Sequence, residues 1–189
     1  KSVLCDNERE NIVHDENQYL HLIQDILKEG IMENGRNGYA KTIFGSAMHF
    51  SLDNQTIPLL TTKKVAWKTC LKELLWFIKG TTNIDYLKYK NVNIWNANTS
   101  REYLDKYGFN NYNVGELGPG YGFQWRHFGA NYIGSEANYE NQGFDQLKDC
   151  FKKICFEPDS RRIVMSAWNA TDLHEMVLPS PLLVNRNRL

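Results

Sequence analysis

The sequence predicts an α+β domain, because it mixes helical and alternating segments without the strict strand–helix–strand rhythm of a parallel α/β fold. Apolar residues recur at helical spacing over 67–79, and Gly80 follows as a stop signal. Over 41–52 and 162–168, side chains alternate in the way that is typical of half-buried strands. The chain has 189 residues, 42% of them hydrophobic, which suits one domain with a substantial core.

Three further helices are predicted from periodicity and from stop signals. The first begins at Asn17 and ends before Gly30, a typical C-terminal stop. The second covers 99–107, where Thr99 is the expected cap and Glu102 its capping-box partner. The third covers 143–156 and ends shortly before a proline.

Composition and charge narrow the class of protein. Residues 1–16 are polar and aperiodic, so we expect a tail or linker there and one domain over 17–189. A formal net charge of zero favours neither a DNA partner nor an acidic membrane surface, and no apolar run is long enough to cross a bilayer. The four cysteines form no CxxC pair, which predicts no metal site and reduced thiols, as in a cytoplasmic protein.

The segment 118–129, GPGYGFQWRHFG, concentrates functional side chains between glycines. It holds Tyr121, Gln124, Trp125, Arg126 and His127. We expect a loop here, because glycines permit turns and close approach to a ligand. A buried aromatic turn, with the arginine satisfied by backbone carbonyls, accounts for the same residues equally well.

Glu73 is the first candidate for acid–base chemistry. On a helix it neighbours Thr69, Cys70, Trp76 and Phe77, and a carboxylate on that largely apolar side would be partly desolvated. Desolvated carboxylates often mark functional sites. The alternative is a surface glutamate paired with a lysine such as Lys72 or Lys79, and the pattern favours neither.

Four arginines are candidates for binding a phosphate, because a guanidinium presents a planar fork of donors. They are Arg36, Arg126, Arg161 and Arg162. Adjacent residues of a strand point to opposite faces, so one arginine of the 161–162 pair is available to a partner subunit. The alternative for each of the four is an ordinary surface arginine.

Five stretches of this sequence together resemble thymidylate synthase. Besides 118–129 they are PLLTTKKVAWKTCLKELLWFIKGTTN at 58–83, VNIWNANTSREYLDKYGF at 92–109, GFDQL at 143–147 and DSRRIVMSAWNATDLHEMVLP at 159–179. The match runs in order from about Tyr19 to Pro179, which is far more specific than a single short motif.

The resemblance implies a fold, a reaction and residue roles. The family fold is a mixed sheet with packed helices that forms a homodimer. The reaction converts dUMP to dTMP with methylenetetrahydrofolate as cosubstrate, through a cysteine thiolate, and needs no metal. By resemblance, Glu73 and Tyr121 are catalytic, Arg36, Arg161 and Arg162 bind substrate phosphate, and Trp67, Ile94, Trp95 and Asn98 line the folate cavity.

The sequence departs from the family pattern where the nucleophile is expected. Pro181 stands at the place of the cysteine and Leu182 at that of the following histidine, so we expect a C-terminally truncated, inactive domain. The alternatives are a non-catalytic homologue that binds nucleotide or dimerises, and a dCMP hydroxymethylase. A dihydrofolate reductase domain upstream is a further expectation. Smaller departures are Ala66, Thr99 and Gly120, where the family commonly has an aromatic, a glycine and a valine.

Overall fold

The computed structural model describes residues 14–35 and 38–179, so the predictions for Arg36, Pro181 and Leu182 lie outside the described residues. The chain divides into two compact units, one up to Val65 and one from Ala66 onward. Each unit has its own arrangement of elements.

The first unit consists of one helix and a hairpin. Helix α1 spans Asn17–Glu29 and ends at Gly30, as predicted. Strands β1, Ile31–Gly35, and β2, Gly38–Thr42, pair antiparallel from Ile31 opposite Thr42 to Gly35 opposite Gly38. A short 3₁₀ turn follows at Asp53–Gln55.

The predicted strand over 41–52 is wrong beyond Thr42. The backbone groups of the later part are bound by side chains near the start of α1 instead of a strand ladder. Gln18 accepts from the His49 N–H at 2.8 Å and donates to the His49 carbonyl at 2.6 Å. Asp15 accepts from the Ser51 N–H at 2.9 Å. Alternation therefore gave the right extended backbone, but its hydrogen bonds go to polar side chains.

Glu16 lies just before α1 and holds the chain segment that ends the first unit. It is 6% exposed, and its carboxylate accepts the N–H and hydroxyl groups of Thr61 and Thr62 at 2.6–2.8 Å. These bonds, led by the Thr61 hydroxyl, lower the pKa of Glu16 from 4.5 to about 2.

The depressed pKa predicts a pH dependence. Because the folded pKa lies below the unfolded one, the stabilisation is complete above pH 4.5 and is lost as pH falls toward 2. We expect the amide protection factors of Thr61 and Thr62, measured by hydrogen exchange, to fall through this window. Glu16→Gln should remove the dependence, whereas the exposed Glu29→Gln should keep it. An unchanged profile in Glu16→Gln would contradict the assignment.

Five helices make up the second unit. Helix α2 ends at Gly80, which adopts a left-handed conformation at φ 72°. Ser100 caps α4 by accepting from the Tyr103 N–H, and Asp145 caps α6 by accepting from the Lys148 N–H. The helices are α2 (Trp67–Lys79), α3 (Asp85–Tyr89), α4 (Arg101–Lys106), α5 (Tyr121–His127) and α6 (Gln146–Phe156).

Two groups of buried side chains form the core of this unit. The larger collects α2, α3, α4 and the chain end near Val177; the smaller joins α5 to the segment 130–139. The larger group contains Trp76, Ile84, Leu87, Val92, Trp95, Leu104, Leu117 and Val177, and the smaller contains Phe123, Ala130, Tyr132 and Tyr139.

Two helix predictions need new starting points. The helix predicted over 99–107 begins at Arg101, because Ser100 is the cap and the buried Thr99 donates its hydroxyl to the Trp95 carbonyl instead. The helix predicted over 143–156 begins at Gln146. In both cases a side chain closer to the helix satisfies the first free N–H groups.

Two further predictions are wrong. The segment 118–129, predicted as a loop, contains α5. The segment 162–168, predicted as a strand, is in no ladder, because the Gln146 side chain takes both the N–H and the carbonyl of Ser166 at 3.0 and 2.8 Å. Within the described ranges the sheet has two antiparallel strands, which agrees with α+β, and the mixed sheet remains a prediction.

Two kinds of site are not seen in the part of the chain that the structure describes. No helix there is both long enough and apolar enough to cross a membrane. No group of three or more histidine, cysteine, aspartate or glutamate side chains there is arranged to hold a metal ion.

Candidate active site

Helix α2 presents Glu73 one turn before Phe77, so both side chains lie on the same face. The Trp95 indole N–H donates to Glu73 Oε1 at 2.8 Å. Neither neighbouring lysine pairs with this carboxylate: Lys72 donates to the Lys90 carbonyl at 2.8 Å, and Lys79 lies over a tyrosine ring. Glu73 is therefore a half-buried acid held by an indole, and the alternative of a lysine-paired surface glutamate is wrong.

Trp95 connects α2 to the start of α5. It is 8% exposed, and its ring meets Tyr121 edge-on, with centroids 5.6 Å apart and planes at 65°. Its carbonyl accepts both the N–H and the hydroxyl of Thr99, at 3.1 and 3.0 Å. The indole therefore has one orientation, which directs its N–H at Glu73.

Tyr121 closes a circuit of four side chains. Its ring stacks on Phe77 with centroids 5.0 Å apart and planes at 5°. We call Glu73, Phe77, Trp95 and Tyr121 the Glu73 cluster. The structure thus brings together three residues singled out in the sequence, and adds Phe77, which the sequence marked only as a neighbour of Glu73.

Helix α5 approaches α2 closely because Gly122 has no side chain. A Cβ atom built on Gly122 would lie 2.4 Å from the Phe77 carbonyl oxygen, closer than such atoms come in real proteins. This contact lets the first turn of α5 rest on the backbone of α2. It also places Tyr121, the preceding residue, against the Phe77 ring.

Arg126 links three helices and is not open to a phosphate in this arrangement. It donates to the Ile78 carbonyl at 2.6 Å, near the end of α2, and pairs with Asp145, the cap of α6, at 3.0 Å. Burial raises the pKa of Asp145, but the bonds from Arg126 and the Lys148 N–H outweigh it and hold that pKa below its ordinary value. Arg126 is the arginine satisfied partly by backbone that the sequence left as an alternative.

A buried amide network joins α5 to the segment that precedes Pro179. Gln124 is fully buried and donates to the Pro119 carbonyl at 2.8 Å and to the Asp172 carboxylate at 2.7 Å. Asn169 donates to both Gln124 and Asp172, at 3.3 and 3.0 Å. We call Gln124, Asn169 and Asp172 the amide network, and it fixes the turn from which the chain continues to 173–179.

The end of the described chain returns to the Glu73 cluster. The Val177 N–H donates to the Leu117 carbonyl at 3.1 Å, and the Tyr112 hydroxyl donates to the Glu175 carbonyl at 2.7 Å. Leu178 then shares the walls of a small cavity with Tyr121. Sequence reasoning missed this convergence, because Tyr121 and Leu178 are far apart in the chain.

The remaining predicted site residues lie on other parts of the second unit. Trp67 is 47% exposed and lies about 120° around α2 from Glu73. Ile94 is 49% exposed, directly before Trp95, and Asn98 is half-buried in the turn Ala97–Thr99. Arg161 and Arg162 are exposed in the turn after α6.

A second buried carboxylate was not anticipated from the sequence. Glu116 is 3% exposed and accepts from the Tyr132 hydroxyl at 2.7 Å and from the Ser135 and Asn113 N–H groups at 3.0 Å. Burial raises the pKa of Tyr132, and the bond to Glu116 adds to that rise. These bonds attach the segment 132–135 to the core, which is a structural role.

The fold and the site define an α+β domain in which a carboxylate and a tyrosine converge beside a buried indole. Residues 17–184 match the thymidylate synthase family. The chain is 52% identical to a thymidylate synthase of Ascaris suum over 170 residues, covering 89% of this chain and 58% of that protein. It is 53% and 48% identical to the bifunctional dihydrofolate reductase-thymidylate synthases of Daucus carota and Leishmania amazonensis, each over 167 residues.

This chain belongs to the thymidylate synthase family. Its match covers 88% of its own length with each of the two bifunctional relatives, but 31% and 32% of theirs. The chain therefore spans between about a third and three fifths of the length of these relatives.

Proposed function

We propose that this site serves the reductive methylation of dUMP to dTMP, with methylenetetrahydrofolate as cosubstrate, in a cytoplasmic homodimer. One observation carries the proposal: the Glu73 carboxylate is held by the Trp95 indole, directly beside Tyr121. Family membership supports the same reaction, because these residues occupy the positions that resemble the family's acid, indole and tyrosine.

The Glu73 cluster suits proton handling at a pyrimidine ring. A general acid or base must be held in a fixed place near the reacting atom, and Trp95 orients the Glu73 carboxylate in that way. We assign Tyr121 to the removal of the ring proton, with its phenol fixed between two aromatic rings. No metal ion is part of this proposal.

The phosphate of dUMP is assigned to Arg36 and to the pair Arg161 and Arg162, with the pair reaching across the dimer. Both members of the pair are exposed, which leaves their guanidinium groups open to an anion or to a second subunit. Arg126 is left out, because its donors bind Ile78 and Asp145.

The cosubstrate is assigned to the exposed apolar surface around the cluster. Trp67 and Ile94 are about half exposed, and the flat face of an indole suits a flat pterin. Asn98 adds a polar group in the adjacent turn. Trp95 is buried, so we assign it to holding Glu73 within this cavity.

Catalysis by this chain alone is a separate matter, because Pro181 stands where the family has its nucleophilic cysteine. A proline offers no thiolate, and an unassisted hydroxyl such as that of Ser180 is a poor nucleophile at neutral pH. We therefore propose that the 189 residues by themselves bind the nucleotide without turning it over. This makes a non-catalytic nucleotide-binding homologue the second candidate.

The test measures turnover and binding on the same purified chain. With ring-tritiated dUMP and methylenetetrahydrofolate, we expect no tritium release above background. By calorimetry, we expect dUMP to bind more tightly than deoxyuridine, which lacks the phosphate, and more tightly than dCMP. Arg161→Ala and Arg162→Ala should each weaken dUMP binding about tenfold, the loss expected for one charge-assisted contact.

Lys152→Ala is the matched control, because it removes an exposed cation near the arginine pair and should leave dUMP binding unchanged. Robust tritium release would overturn the proposal of an inactive chain. Equal affinity for dUMP and deoxyuridine would overturn the phosphate assignment, and preference for dCMP would favour the dCMP hydroxymethylase alternative.

A further inference from the structure

Tyr121 has a backbone conformation that its surroundings must hold. Its φ is 32°, in the left-handed region that a residue with a side chain seldom adopts. Such a conformation costs of the order of 1–3 kcal/mol and persists only where neighbouring contacts enforce it. The contacts that hold Tyr121 therefore determine where its phenol lies.

Phe77 holds the start of α5 through two different parts of the residue. Its ring stacks on Tyr121 at 5.0 Å and meets the edge of Trp125 at 5.6 Å. Its carbonyl and Cα lie directly beneath Gly122, where a Cβ would come within 2.4 and 2.8 Å of them. One residue of α2 thus lies under three residues of the first turns of α5.

Phe77 also shares a rigid element with the acid. Glu73 and Phe77 are four residues apart on α2, and the two are joined through space by Trp95 and Tyr121. Moving the Tyr121 ring would remove the edge contact that packs against Trp95. That in turn would loosen the indole whose N–H holds the Glu73 carboxylate.

We propose that Phe77 is a positioning residue: its ring fixes Tyr121 against Trp95 and thereby orients the Glu73 carboxylate. Phe77 acts through these neighbours and is not assigned a contact with the substrate. Its assignment to the reaction rests on the proposed function, whereas its effect on the cluster is a property of the folded chain that can be measured without any ligand.

The experiment follows the Trp95 indole N–H by NMR hydrogen exchange in the whole chain. Phe77→Leu removes the ring and should speed exchange about fivefold, since an aromatic pair contributes about 0.5–1.5 kcal/mol. Phe77→Tyr keeps the ring and should restore slow exchange to within twofold of the original chain. Phe109→Leu removes a comparable ring, which packs 5.3 Å from Tyr112, and should leave the indole exchange within twofold.

The outcomes separate this inference from the proposed function. Unchanged indole exchange in Phe77→Leu would overturn the positioning role even if dUMP binds. Equal acceleration in Phe77→Leu and Phe109→Leu would reduce the effect to general stability and would overturn it as well. Faster exchange in Phe77→Leu alone, with no dUMP binding by the original chain, would uphold the positioning role and overturn the function.

Discussion

Replacing Gly122 with alanine is expected to destabilise the second unit by about 3 kcal/mol, the upper end of the cost of overpacking a well-filled contact. The new Cβ would meet the Phe77 carbonyl oxygen at 2.4 Å, and both partners are helix backbone that cannot rotate away. Helix α5 must therefore move off α2, which separates Tyr121 from Phe77. The free energy of unfolding in urea measures the effect.

Gly120→Ala is the matched control, two residues earlier in the same motif. No atom lies within 4 Å of the Cβ that it would add, and its φ of −86° is open to any residue. We expect a change within about 0.5 kcal/mol, as for an ordinary surface substitution. Equal losses in the two variants would show that the close approach of α5 to α2 is not what the glycine provides.

Gln124→Met is expected to destabilise the chain by about 2–3 kcal/mol although it preserves the length of the side chain. The methionine cannot donate to Asp172 or Pro119 or accept from Asn169, so polar groups in the amide network lose their partner. A bond to a carboxylate contributes more than a neutral one, and an unsatisfied buried group adds a desolvation cost.

Gln142→Met gives the comparison at an exposed position, where the side chain donates only to the Asn138 carbonyl. We expect a loss below about 1 kcal/mol there, because water replaces the bond. Hydrogen exchange at Val177 in Gln124→Met adds a local measure, since its N–H bond to Leu117 lies just beyond the network. Slow exchange there, together with a small global loss, would contradict the role of the network in fixing 173–179.

Periodicity predicted the long helices well, because an amphipathic face of three turns or more is legible without tertiary contacts. Helices α1 and α2 match their predicted ranges closely, and α6 differs only at its start. The two predicted strands failed beyond Thr42 because alternation reports extended backbone and one-sided burial, not the presence of a partner strand. Side chains of Gln18 and Gln146 bind those backbone groups instead.

Helix α5 shows the opposite failure. Its glycines and aromatic residues have low helix propensity, so the sequence predicted a loop. Contacts from elsewhere stabilise it: Gly122 packs on Phe77, Gln124 joins the amide network, and Arg126 binds the end of α2. Tertiary packing routinely overrides weak local preference in a helix this short.

The sequence by itself determined the family, the α+β class and the long helices, because motif order and apolar spacing are local properties of the chain. It also placed Glu73 among candidate acids, yet left its partner open. Only the tertiary structure decided that the partner is Trp95, that Arg126 binds helices instead of an anion, and that Phe77 supports Tyr121. The physical reason is that each of these contacts joins residues that are distant in sequence, and helical or strand spacing carries no information about which distant side chain arrives.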